Sequence, residues 1–127
     1  MKHLLFTRPK PGGLLARAGL LAALVAVSVG SVIDPGTTAA AGLNDKLQHV
    51  LAFALLALLS CAALPERARW RWVLPVLLGY GLLIECVQWW LPWREFSVLD
   101  LAADLVGLLV VLGPLERWQR SRGEGRA

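Results

Sequence analysis

The chain has 127 residues, enough for one domain, of which 57% are hydrophobic and only 17% charged, with a mean hydropathy of +0.59. Soluble domains carry roughly a quarter charged residues, so this apolar surplus needs lipid to cover it. The formal charge of +4 would suit a nucleic-acid binder, but the basic residues fall between apolar runs instead of lining one face, which argues against a phosphate footprint.

Four apolar segments follow one another, at 14–33, 47–64, 70–91 and 98–115. Each is near the roughly 20 residues with which an α-helix crosses about 30 Å of hydrocarbon. The expected fold is therefore all-α, a four-span transmembrane helix bundle forming a single domain over residues 1–127. The first segment follows Lys2, Arg8 and Lys10, holds Arg17 near its start, and ends at Asp34-Pro35-Gly36. This basic start and the small-residue run Thr37-Thr38-Ala39-Ala40-Ala41-Gly42 also fit a cleavable signal peptide. The long apolar run and the many residues before it favour a retained span; cleavage would leave three.

The second segment opens with Asp45, Lys46 and His49 and stops at Pro65-Glu66-Arg67. The third carries Glu85 and Gln88 near its end and stops at Pro92-Trp93-Arg94. The fourth opens with Ser97, Asp100 and Asp104; Gly113-Pro114 is expected to close it, leaving a frayed tail over 119–127. Short links make neighbouring helices antiparallel. Cys61 and Cys86 show no metal-ligand spacing and read as small hydrophobes within apolar runs.

Lys and Arg near span ends are retained on the cytoplasmic side. Basic residues precede the first span, Arg67, Arg69 and Arg71 link the second to the third, and Arg117, Arg120, Arg122 and Arg126 follow the fourth, whereas only Lys46 and Arg94 lie in the other loops. Both termini are expected in the cytoplasm. Trp70, Trp72 and Trp118 mark one interface, and Trp89, Trp90 and Trp93 the other, as amphipathic rings do at head-group depth.

Ionisable groups inside hydrocarbon cost about 2.5 to 3.5 kcal/mol at mid-span, so their placement carries information. Because the spans alternate direction, Asp45, Lys46, His49, Glu85, Gln88, Arg94, Asp100 and Asp104 all fall near the outer face. Asp45 and His49 are four residues apart, as are Asp100 and Asp104, and Glu85 and Gln88 are three apart, so each pair shares one helix side. Glu85 lies about 9 Å inward from its span end at 1.5 Å per residue. Gly81 and Gly107 stand on the same sides, where small residues allow helices to approach closely.

Each of these groups also has a structural reading. Asp45 with Gln48, and Ser97 with Asp100, fit capping boxes. His49 can be an interfacial hydrogen-bonding group, Arg94 a loop charge, and Lys46 a snorkelling side chain. Glu85 and Asp104 can be hydrogen-bonding staples between helices.

The stretches DKLQHVLAF from Asp45, GYGLLIECVQWWLPWREFSVLD from Gly79 and DLAADLVG from Asp100 together resemble the VanZ-like family of small bacterial membrane proteins. That family's pattern is met in order by Asp45, Lys46, His49, Glu85, Gln88, Arg94, Phe96, Ser97 and Asp100, then Asp104 and Gly107, with Asn common where Asp104 stands. The resemblance covers roughly 14–113, its first span matching only in being apolar. It implies a four-span protein of the bacterial cytoplasmic membrane, with some relatives linked to resistance against teicoplanin-type glycopeptides. It does not imply a known reaction.

Three functional readings remain open. In the first, a polar pocket near the outer face binds or modifies a lipid or a lipid-linked envelope component. Carboxylates at different depths can hold different protonation states there, His49 oriented by Asp45 acts as a base, and Glu85 supplies a proton or anchors the pocket. Gln88, Arg94, Asp100 and Asp104 bind the substrate, with Arg94 suited to a phosphate or carboxylate head group. In the second, the cluster only fixes packing or docks another membrane protein. In the third, His49 with Asp45, Glu85, Asp100 or Asp104 holds a metal, an oxygen and nitrogen set that spacing alone does not establish. No Gly-rich phosphate loop, nucleophile elbow or paired-cysteine site points to a familiar enzyme or cofactor class. The charge asymmetry makes a topological prediction: a phosphatase reporter that works only outside the cytoplasm is active when fused after Glu95 and silent when fused after Arg71. The opposite pattern would reverse the assigned orientation.

Overall fold

The computed structural model describes residues 11–34, 45–64 and 69–124. They form four helices long and apolar enough to cross a membrane, and no strand occurs among the described residues. We label them α1 (Pro11–Val32), α2 (Asp45–Ala63), α3 (Leu74–Trp90) and α4 (Val98–Glu124), with a π-helical turn, Arg69–Val73, leading into α3.

Local chemistry explains most of the boundaries. Pro11 occupies the first position of α1, where a missing N–H leaves nothing unpaired. Pro75 has no N–H to return to the carbonyl of Arg71 four residues earlier, and the backbone widens into the π-turn there. Leu91, forced out of the helical region by Pro92, is extended at φ −90° and ψ 132° and ends α3. The small-residue run 37–42 lies outside the described residues.

The expected stop at Gly113-Pro114 does not occur, and residues 119–124 of the expected tail are helical, 125–127 lying outside the described residues. Instead α4 continues through Pro114 to Glu124. The residue before the proline is glycine, so the usual clash with a Cβ is absent. Beyond it, Glu116 accepts a 2.7 Å hydrogen bond from Arg120 one turn later, and the Arg122 guanidinium lies 4.0 Å from the Trp118 ring centre. Both contacts join residues four apart and support an exposed helical end.

Burial follows one stripe per helix. On α2 it runs through Phe53, Leu56, Ala57, Ser60 and Cys61; on α3 through Leu77, Gly81, Ile84, Glu85 and Gln88; on α4 through Asp100, Ala103, Asp104, Leu108 and Leu112. Spacings of three and four put each set on one helix side. The opposite sides carry exposed apolar residues such as Leu51, Leu58, Leu83, Val87, Val106 and Val110, as a lipid-facing surface requires. α2 sits centrally, packed against α1 and α4, while α3 closes the bundle against α4 and α1. No described residue of α1 is buried, yet Leu20, Ala23, Leu24 and Val27 pack on the core. Arg17 Nε donates to the Ala63 carbonyl at 3.3 Å, and the Tyr80 hydroxyl donates to the Leu24 carbonyl at 3.1 Å. The first apolar segment is thus a working member of the bundle.

The closest approach is between α2 and α4, at Gly107. A Cβ there would run into the backbone carbonyl oxygen of Val50 and lie 3.1 Å from the backbone nitrogen of Ala54. Backbone atoms cannot swing aside, so Gly107→Ala should force the two helices apart. We expect a loss of about 1–3 kcal/mol, the usual cost of overpacking, read as a lower unfolding midpoint in detergent. Gly79→Ala, where a Cβ meets nothing within 4 Å, is the neutral control.

Candidate functional site

Each buried stripe changes from Leu, Phe and Ile to Asp, Glu, Gln and His at the same end of the bundle, where α1 and α3 finish and α2 and α4 begin. The polar side chains therefore continue the core. Lipid supplies no hydrogen bonds, and each polar group there must be satisfied by another.

His49 of α2 faces α4. Its Nδ1 lies 2.7 Å from Asp104 Oδ1, and its Nε2 lies 3.7 Å from Asp100 Oδ2. Asp104, not the expected Asp45, is the carboxylate that holds the imidazole. Asp45 projects from the same helix side as His49, whereas Asp104 reaches across from a helix that Gly107 brings close. Asp45 Oδ1 instead accepts from Arg94 at 3.4 Å, and Lys46 donates to Asp100 Oδ1 at 3.3 Å.

The expected capping box at the start of α4 is half made. The Asp100 backbone N–H donates to Ser97 Oγ at 3.2 Å, as an N-cap serine requires. The reciprocal bond comes from another helix: Glu85 Oε2 accepts the Ser97 backbone N–H at 3.0 Å. Glu85 replaces the acid of the box and leaves the Asp100 carboxylate to Lys46 and His49. It is fully buried, and its Oε1 has no hydrogen-bond partner.

The end of α1 is capped by the same region. Gln88 Nε2 donates to the Ser31 carbonyl at 3.0 Å, Trp93 Nε1 to that of Val32 at 3.1 Å, and Arg94 to that of Ile33 at 3.4 Å. These are terminal carbonyls with no partner in their own helix. Sequence reasoning placed Trp93 only in an aromatic belt and did not single out Ser28, whose hydroxyl lies 2.7 Å from that of Tyr80. A carbonyl recipient leaves no trace in residue identity, so neither bond had a signal to find. Trp72, Trp118, Trp89 and Trp90 are exposed toward the two ends of the bundle, as the belts require. The side chain of Trp70 lies outside the described residues.

Within this network is a cavity of about 610 Å³, between α1, α2, α3 and the start of α4. Asp45, Lys46, His49, Arg94 and Asp100 line its polar part, and Val27, Ala52, Phe53 and Ile84 its apolar part. Gln88 and Trp93 are also on its wall, whereas Glu85 and Asp104 are not. The predicted residues thus divide into those that face the cavity and those that hold them in place.

Four membrane-length helices with a cavity at the end where their polar side chains gather define a multi-pass membrane protein with an embedded polar cluster. The chain belongs to the VanZ/LLP1 family, whose model matches residues 14–115. No curated protein and no solved structure matches it.

The Glu85 bond gives a test of its capping role. Glu85→Ala leaves the half-buried Ser97 N–H unpaired and should cost about 1–3 kcal/mol, measured by denaturant unfolding in detergent. Glu85→Gln retains an acceptor oxygen and should recover most of that loss. Equal damage from both would show that the negative charge matters and not the cap.

Proposed function

We propose that the protein binds an amphiphilic component of the bacterial cell envelope, a lipid or lipid-linked molecule, in the cavity at its polar end. The observation that carries this reading is the division of the cavity wall. Charged groups at one part and Val27, Ala52, Phe53 and Ile84 at the other match a polar head group joined to an apolar chain. Arg94 is suited to an anionic head group, and its Nε is buried with no hydrogen-bond partner. The basic-residue asymmetry puts this end on the extracytoplasmic side of the cytoplasmic membrane, with both termini in the cytoplasm. A ligand of the outer leaflet reaches it there, and altered sensitivity to teicoplanin-type glycopeptides is a natural consequence of binding one.

For modification as well as binding, His49 is the reacting group. Buried Asp104 orients it through Nδ1, which directs Nε2 toward the cavity side occupied by Asp100. Asp45 then belongs to the cavity mouth with Arg94, and Glu85 to the support behind. A second reading has a specific observation in its favour: most of the polar side chains already join one helix to another, as in Lys46–Asp100, Asp45–Arg94, His49–Asp104 and Glu85–Ser97. A scaffold that docks a partner membrane protein needs no more than that.

Sensitivity profiling of cells lacking the protein, against lipid-directed and glycopeptide antibiotics, separates the two. Rescue by the intact chain and failure of His49→Gln and Arg94→Gln, each at normal membrane abundance, is the outcome expected of a ligand site. Full rescue by both variants would eliminate the pocket reading and leave the scaffold.

A further inference from the structure

We infer that Asp45, His49 and Asp100 form a binding site for one divalent transition-metal ion, of the Zn²⁺ or Mn²⁺ class, with an open coordination position facing the cavity; with the ion bound, His49 is a ligand and no longer the reacting group. One ligand atom from each residue lies within 4.8 Å of the others, and all three residues are on the cavity wall. One imidazole with two carboxylates is a donor set for such ions, and three protein ligands leave a position free for a small molecule.

Two features set this group apart from an ordinary acidic patch. The first is the state of His49. Its Nδ1 is committed to Asp104 at 2.7 Å, and Asp104 lies behind the cavity with its Oδ2 buried and unpartnered. A histidine that binds a metal through one nitrogen gives its other N–H to a carboxylate in the same way, which fixes the tautomer and aims the free lone pair. The remaining nitrogen, Nε2, faces Asp100 Oδ2 at 3.7 Å. That is too long for a hydrogen bond. It is close to the roughly 3.4 Å that separates two ligand atoms on a tetrahedral ion bonded at about 2.0–2.1 Å.

The second is the way its carboxylates are held. Asp45 and Asp100 each meet a cation through Oδ1, Arg94 for the one and Lys46 for the other, and a carboxylate held through one oxygen keeps its second oxygen for an ion. Lys46 does not block it. The ammonium holds Asp100 through Oδ1, while Oδ2 is the oxygen that faces His49. Its side chain is 46% exposed.

The test uses the untagged full chain in lipid nanodiscs, titrated with Zn²⁺ and with Mn²⁺ and checked for bound metal after gel filtration. One equivalent per chain is expected, with affinity at least about tenfold weaker in His49→Gln and in Asp100→Asn. Asp104→Asn, which touches no metal, should weaken binding by about 10- to 100-fold, the range for a group that orients a ligand. Absence of stoichiometric binding of either ion, or equal binding by the intact chain and both ligand variants, overturns the site. Should the variants fail to fold, ¹⁵N-histidine labelling of a His3→Gln chain decides the matter: the Nε2 resonance of His49 shifts on saturation with Zn²⁺, and an unmoved resonance refutes the assignment.

Discussion

The hydrogen bond between His49 and Asp104 spans the contact of α2 with α4, and much of the polar end is arranged around it. It requires the two helices to approach closely enough for an imidazole and a short carboxylate to meet at 2.7 Å. Gly107 permits that approach, since its Cα lies where any side chain would enter the backbone of α2. Gly81 does the same for α3, because a Cβ there would come within 2.5 Å of Asp104 Oδ2 and 3.2 Å of the Phe53 ring. The two glycines are therefore the counterpart of the acidic residue between them. Small residues in two of the three packed helices make room for one polar pair.

Around that pair, the other polar groups answer a problem posed by lipid. A helix end leaves backbone groups unpaired, and in a bilayer water does not pair them. Glu85 serves the N–H of Ser97, the residue that caps α4, while Gln88, Trp93 and Arg94 serve the carbonyls that end α1. Each comes from α3 or the link that follows it. That segment ties the ends of its neighbours together, and the cavity is the space left where those ties surround the start of α2. Gln88, Trp93 and Arg94 thus cap α1 and line the cavity at once. Glu85 and Asp104 lie behind the wall and hold, whereas His49, Arg94, Asp45 and Asp100 lie on it.

Much of this was legible from residue type and spacing. Hydropathy marked four spans, and pairs such as Asp45 with His49 and Asp100 with Asp104 announced their common helix sides. Partner choice was not legible. Asp45 is four residues from His49, and spacing favours that pairing, but i and i+4 side chains leave a helix nearly in parallel and point at the neighbouring helix more than at each other. The capping box at Ser97 shows the same limit. Its local pattern predicted Asp100 as the reciprocal acceptor, and a carboxylate twelve residues earlier in the chain took the place. Gly113-Pro114 misled in the other direction, because its strong local signal for a helix end was overridden by contacts one turn apart on the far side.

The amino-acid sequence by itself determined that the chain is a helical membrane bundle and that its costly polar groups gather at one end. Both follow from one-dimensional quantities, the length of apolar runs and the position of charges along them. Only the tertiary structure decided which carboxylate holds His49, which acid caps α4, and which residues face the cavity. Those outcomes depend on how closely and in what rotation the helices pack. At that scale a single glycine shifts the distance between two helices, and with it the partner within reach.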